Sequence, residues 1–287
     1  MTDTRPIRPA DFAALASFIG QVNETSGRRD LHTFETPAAA LVQEMQDLHG
    51  AGRLIGLFRQ WDGTILGSIL LDIDREKARA WAWGPSLTTG EDGGRLLDAA
   101  LDLLPDKISR ISFFPASANL DLRAILAARN ARFHPATHVY RALPDGRTPS
   151  VPGDVRRAGL RDRDALHRLH EANFPASYRS VDEMLAADAE RACLMVVAAE
   201  GAPAGYVAAT VQQDGTGYID FLATDPAYRR RGVAGTLLAA ALTWLFDDRR
   251  VPSAHLTVTD DKAVARRLYE RCGFRLHTSG IPADLYR

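Results

Sequence analysis

The sequence predicts an α/β protein of two tandem domains, each a central, mostly antiparallel mixed sheet flanked by helices. Three observations predict it: a length of 287 residues, an order of elements that occurs twice, and a stretch between the repeats that suits neither helix nor sheet. One hydrophobic core rarely grows to this length, so two domains are the natural prior. Hydrophobic residues make up 46% and charged residues 25% of the chain, values that exclude a disordered or fibrous protein.

The repeat is legible element by element. Ile7–Asp11 runs into a helical pattern of Phe12, Leu15 and Ile19, and Val155–Ala158 runs into one of Leu166, Leu169 and Phe174. Apolar positions three or four apart mark one face of a helix. A second helix is expected in each half, around 38–48 and 181–189. Hairpins follow: Leu54–Phe58 through Asp62-Gly63 to Ile65–Ile73, and Leu194–Ala199 through Glu200-Gly201 to Tyr206–Val211. A glycine turn between two strand-like runs is the hairpin signal. Each half continues with a strand (80–83; 218–223), a long helix (94–104; 233–246), another strand (110–114; 255–258), a last helix and a closing strand region. Pro144–Gly153 holds three prolines and two glycines and reads as a linker. The expected boundaries are therefore a first domain at 1–144, a linker at 145–153 and a second domain at 154–287.

Charge and cysteine content narrow the function classes. The formal net charge is −1, so no strong overall field directs the chain to nucleic acid or an anionic membrane. Any anion affinity must be local. Cys193 and Cys272 are the only cysteines; they match no metal spacing and read as reduced packing residues. No metal site is expected. Met1–Arg5 lacks the apolar core of a signal peptide, and no window approaches the roughly 20 apolar residues of a membrane span. A cytoplasmic monomer or homodimer is the expectation.

The local anion signal lies in Tyr228–Thr236, which reads Tyr-Arg-Arg-Arg-Gly-Val-Ala-Gly-Thr. It joins the strand Tyr218–Thr224, stopped at Asp225-Pro226, to a helix carrying Leu237, Leu238, Ala241, Leu242 and Leu245. A helix start exposes unpaired N–H groups and its dipole favours negative charge. Gly232 and Gly235 permit close approach of a diphosphate, Ala234 keeps the turn open, and three arginines add charge. A solvated basic turn is the alternative. No Gly-Lys followed by Ser or Thr occurs, and the glycines do not make a dinucleotide fingerprint.

Arg229–Ala234 fits the pattern Arg/Gln-x-x-Gly-x-Gly/Ala, and Leu222–Ala234 as a whole resembles the central signature of the GCN5-related N-acetyltransferase family. A second block, Leu256–Val258 followed by Ala265–Phe274, also resembles that family, in order and at its separation. The resemblance implies acetyl-CoA as donor, a primary amine of a small molecule or peptide as acceptor, and direct attack in a ternary complex. In the family two central strands splay apart to admit the pantetheine arm. The resemblance thus implies contacts from Leu222, Ala223 and Thr224 to that arm, and pyrophosphate contacts from Arg229, Arg230, Arg231, Gly232, Val233, Ala234, Gly235 and Thr236. A Thr224 amide near the acyl carbonyl would suit oxyanion stabilisation. Lys262 stands where the family often has asparagine; it can meet phosphate, but not through an amide carbonyl.

Tyr269 falls on the family's tyrosine that protonates the departing thiolate, and a phenol with pKa near 10 is chemically suited to that step. A packing aromatic is the alternative. Asp220 is the candidate base: four residues before Thr224 on one strand, it is expected to share that residue's face. Binding a cationic acceptor or facing solvent are its alternatives, and Tyr218 is placed beside it. The corresponding first-half turn, Gly84–Arg95, has Glu91 and Asp92 and no arginine cluster. The block Ile125–Phe133 has no tyrosine. The first half is read as a degenerate copy without its own acetyl transfer, with Trp81 and Trp83 in its core. Transfer of a longer acyl group, a non-catalytic acyl-CoA-binding sensor or scaffold, and a purely structural protein of the same fold are the alternatives.

Overall fold

The computed structural model describes residues 3–144, 155–175, 177–199 and 201–287. The expected linker at 145–153 and Glu200 of the second hairpin turn lie outside them. Two compact units are formed, one from 1–138, 259–261 and 278–287, the other from 139–258 and 262–277. None of the described helices is long and apolar enough to cross a membrane.

The elements in chain order are β1 (Asp3–Pro6), α1 (Phe12–Glu24), α2 (Ala38–Gly50), β2 (Leu54–Trp61), β3 (Thr64–Asp74), β4 (Arg79–Leu87), α3 (Gly93–Leu101), β5 (Arg110–Phe113), α4 (Leu120–Ala127), β6 (Arg132–Phe133) and β7 (Thr137–Ala142). They continue as β8 (Val155–Arg157), α5 (Arg163–Asn173), α6 (Val181–Leu185), β9 (Ala192–Ala199), β10 (Ala202–Val211), β11 (Gly217–Thr224), α7 (Val233–Thr243), β12 (Ala254–Thr259), α8 (Ala263–Arg271), β13 (Arg275–Gly280) and β14 (Ala283–Tyr286). The order anticipated from the sequence is present twice, although α6 stops at Leu185 instead of reaching 189.

The repeat extends to individual side chains. Arg5 and Arg156 each fork onto an aspartate six residues on, Asp11 and Asp162, both at 2.7 Å. Each aspartate also accepts a backbone N–H at the start of the following helix, from Arg8 and from Gly159, both at 2.9 Å. The bidentate pair fixes the angle at which the first strand enters the first helix in both units.

Each sheet is packed on both faces. In the first, Phe12, Leu15, Ile19, Leu41 and Met45 pack against Phe58, Leu70 and Trp83 on one side. Leu96, Leu97, Leu122 and Leu126 cover Leu57, Ile69 and Leu71 on the other. In the second, α5 and α6 cover Tyr206, Ala208 and Phe221, while α7 covers Val207, Ala209 and Ile219. Of the two tryptophans expected in the core, Trp83 lies there, whereas Trp81 is half-buried with the Arg79 guanidinium stacked on its ring at 4.1 Å.

The sheets are not closed by consecutive segments of chain. The first has the order β1-β2-β3-β4-β5-β14-β6 and the second β13-β7-β12-β11-β10-β9-β8. The last strand of the chain completes the first sheet, pairing antiparallel with β5 and β6. Strand β7, from the first half of the sequence, completes the second. Continuous closure of each half, implied by the boundaries 1–144 and 154–287, does not describe this exchange. Alternation cannot distinguish the two arrangements: Ala283 and Leu285 fill the first core as Tyr140 and Ala142 fill the second, each strand offering one apolar face.

Candidate active site

The two parallel strands at the centre of the second sheet separate early. β11 and β12 pair only at Gly217↔Ala254 and Tyr218↔His255, so Ile219–Thr224 has no strand on that side among the described residues. Backbone groups on such an edge are available to an extended ligand. At the end of this edge the Thr224 hydroxyl is buried without a hydrogen-bond partner, and a bound polar group would satisfy it.

Beyond Thr224 the Asp225 side chain accepts the Ala227 N–H at 2.8 Å, closing a tight turn. Arg230 and Gly232 then take left-handed conformations, φ 64° and 83°, and α7 begins with no side chain capping its first turn. A Cβ on Gly232 would meet nothing within 4 Å, whereas one on Gly205 would strike Val233 at 2.9 Å. The first leaves open space above the helix start; the second lets α7 lie tightly on the sheet. Arg229, Arg230 and Arg231 are exposed, and none pairs with a carboxylate among the described residues. Uncapped N–H groups and free guanidinium charge make a site fit for a diphosphate. Val233, Ala234, Gly235 and Thr236 form its first turn. Lys262 is exposed and precedes α8.

Asp220 departs from the expected geometry. The β10–β11 register slips between Ala208 and Ala209, which oppose Phe221 and Ile219, leaving Asp220 as the extra residue of a β-bulge. Ile219 and Leu222 therefore face α7, while Phe221 and Ala223 face α5 and α6. Asp220 projects to the α5 side, where Tyr178 donates to Oδ1 at 2.5 Å and Thr210 to Oδ2 at 3.0 Å. Thr224, opposite Gly205 in the register, lies on the α7 side. The expectation that Asp220 and Thr224 share a face is corrected: one inserted residue reverses the alternation. Burial pushes the Asp220 carboxyl above its usual range, and the Tyr178 and Thr210 donors and the Arg179 charge pull it partly back. Tyr218 also faces the α5 side and bonds Thr257 at 3.0 Å.

Tyr269 is half-buried on α8 between Phe274 and Tyr140, with ring centroids 6.1 and 6.4 Å away. Tyr140 comes from β7 and is itself fixed to Glu270 at 3.0 Å. Burial pushes the Tyr269 phenol up to about 12, which keeps it protonated at neutral pH. Its hydroxyl makes no hydrogen bond among the described residues. Tyr178 and Tyr140 both escaped the sequence reading; each reaches the site through tertiary packing, without a motif.

The first unit offers a contrast at every equivalent point. β4 and β5 also separate, after Trp81↔Ser112, but the chain fills the gap with residues 28–33. Leu31 N–H donates to Phe114 O at 2.9 Å and Ala116 N–H to Arg29 O at 3.0 Å. His32 Nδ1 bonds Ala82 O at 2.9 Å, and the buried Asp30 carboxylate accepts the Gly84 N–H. The loop doing this, 25–37, is longer than its counterpart, 174–180. The helix start is closed too: Asp92 accepts from Gly94 and Arg95 N–H at 3.0 and 3.1 Å. An internal carboxylate thus sits where a diphosphate would have to bind.

Cys193 is buried and Cys272 half-buried, both unpaired. Burial raises the Cys193 thiol to about 12, which suits packing and not nucleophilic attack. Among the described residues no group of histidine, cysteine or acidic side chains is arranged to hold a metal.

Comparison with known proteins agrees with this geometry. Residues 163–274 match the family model of the acetyltransferase (GNAT) family. Over 256 residues the chain is 28% identical to the mycothiol acetyltransferase of Streptomyces avermitilis, spanning 88% of this chain and 72% of that one. A GCN5-related N-acetyltransferase from Sphaerobacter thermophilus has TM-score 0.76 at 18% identity, over 99% of this chain and 95% of that one. A tandem GNAT protein from the clavulanic acid biosynthesis pathway has TM-score 0.69 at 15% identity, over 100% and 98%. The second unit thus carries the match to the acetyltransferase (GNAT) family, and the chain as a whole shares the fold of a tandem GNAT protein.

Proposed function

We propose that the second unit transfers an acetyl group from acetyl-CoA to a primary amine of a small molecule or peptide, by direct attack in a ternary complex. The observation that carries this reading is the uncapped, arginine-lined start of α7 beside the open edge of β11. When bound, acetyl-CoA would supply the activated acyl group as a thioester. Arg229–Thr236 would hold its phosphates, and the backbone of Leu222–Thr224 would pair with its arm, with the orphaned Thr224 hydroxyl finding a partner. Lys262 adds a positive charge for the phosphates.

Asp220 accepts the proton of the attacking amine, directly or through water. Its raised pKa brings it nearer to the amine it serves while two donors hold the anion in place. Tyr269 carries the proton for the departing thiolate. Neither thiol competes with direct attack, because burial shifts both toward the neutral form.

The first unit binds no acetyl-CoA in this reading, because Asp92 and residues 28–33 occupy both halves of the equivalent site. The test is acetyl-CoA-dependent thiol release over a panel of amines, amino acids, aminoglycosides and peptide N-termini, paired with calorimetry. Turnover with one coenzyme A bound per chain is expected. Binding without turnover on any amine identifies a sensor or scaffold; absence of binding removes the assignment of the turn.

A further inference from the structure

The acceptor side of the second unit presents charges of both signs. An open cleft of about 520 Å3 is lined by Arg179, Asp188, Arg191, Thr210, Gln212 and Asp220. Asp220 is the residue to which the amine is assigned above. Arg179 stands with it in the cleft, and its guanidinium makes no hydrogen bond or ion pair among the described residues.

The position of Arg179 is built from below. Ser177 Oγ donates to the Arg179 carbonyl at 2.9 Å, so it must accept at its contact with His170 Nε2, 2.7 Å away. His170 Nδ1 is then the acceptor for the Tyr206 hydroxyl at 2.6 Å. Tyr206 and His170 are buried, 0% and 4% exposed, and burial lowers the His170 pKa, in keeping with a neutral ring. The chain Tyr206, His170, Ser177, Arg179 runs donor to acceptor without a break. Beside it the Tyr178 ring packs on Phe221 at 5.1 Å. The main chain that carries Arg179 is therefore anchored to β10 and β11, and its side chain lines the cleft with Asp220.

We infer that the acceptor is a primary amine that also bears a carboxylate, an amino acid or a close relative, with the carboxylate held by Arg179 and the amine presented to Asp220. This rests on the transfer reading and deepens it. A guanidinium fork matches a carboxylate in two parallel hydrogen bonds. A phosphate dianion fits less well. Arg191 is already engaged with the Val211 and Gln212 carbonyls, and the carboxylates of Asp188 and Asp220 line the same cleft.

The experiment compares free amino acids with their carboxamides, with the decarboxylated amines and with phosphoethanolamine, using thiol release on the full chain and on Arg179→Met and Arg179→Lys. The carboxylate-bearing acceptors should be favoured by roughly 10- to 100-fold in kcat/KM. Arg179→Met should erase that preference by raising KM for the carboxylate-bearing acceptors alone, with Arg179→Lys in between; any effect it has through Asp220 falls on acids and carboxamides alike. Equal use of carboxamides, or a preference that survives Arg179→Met, overturns the inference while leaving acetyl transfer intact; preference for phosphoethanolamine replaces carboxylate by phosphate. If no amine is acetylated, calorimetry of amino acids on the coenzyme A-loaded protein decides. Binding that Arg179→Met abolishes supports the site, and absence of binding overturns it.

Discussion

The Tyr178 hydroxyl, carried on the loop between α5 and α6, donates to Asp220 Oδ1 at 2.5 Å. Asp220 owes its position to a β-bulge in β11, so the contact joins an irregularity of the sheet to an irregular connection above it. Removing the donor has a definite sign. The Tyr178 hydrogen bond lowers the Asp220 pKa, against a burial effect that raises it. Tyr178→Phe should therefore raise that pKa further and move the acid limb of the kcat/KM profile to higher pH. An unmoved limb would take Asp220 out of the base role.

Tyr269→Phe removes the proton held for the thiolate and keeps the ring that packs between Tyr140 and Phe274. General-acid steps contribute about 100-fold or more. We expect turnover to fall by that order, with acetyl-CoA affinity nearly unchanged by calorimetry. Unchanged turnover would make Tyr269 a packing residue.

Replacing Arg229, Arg230 and Arg231 together by alanine should weaken coenzyme A binding. Because the three side chains are exposed, the binding that remains should respond less to salt than that of the parent protein. Titration against ionic strength tests both statements. An unaffected affinity would return the turn to the status of a solvated basic loop.

Arg156–Asp162 anchors the start of the second unit, and Asp162 is held below the usual carboxylate range chiefly by that arginine. A depressed carboxylate adds stability above its unfolded pKa of about 3.9. That contribution is lost as pH falls through the lower folded value. Asp162→Asn should cost about 2 kcal/mol at neutral pH, and the difference from the parent should shrink in strong acid. A deficit that persists there would mean that the ion pair is not its source.

The sequence by itself determined the order of elements, the repeat, the arginine–glycine turn and the candidate residues on β11 and α8. These rest on short-range rules: apolar spacing, turn chemistry and a motif within one strand–turn–helix. The tertiary structure decided what depends on partners distant in the chain. The exchange of β7 and β14 was hidden because either strand suits either sheet equally well by alternation. The bulge at Asp220 was hidden because an extra residue in β11 shows only against its neighbour β10, and it moved Asp220 and Thr224 to opposite faces. Tyr178 and Tyr140 carry no motif and reach the site only through packing. In the first half, Glu91 and Asp92 already argued against a diphosphate. That residues 28–33 fill the gap between β4 and β5 follows from hydrogen bonds across the fold, which no spacing along the chain records.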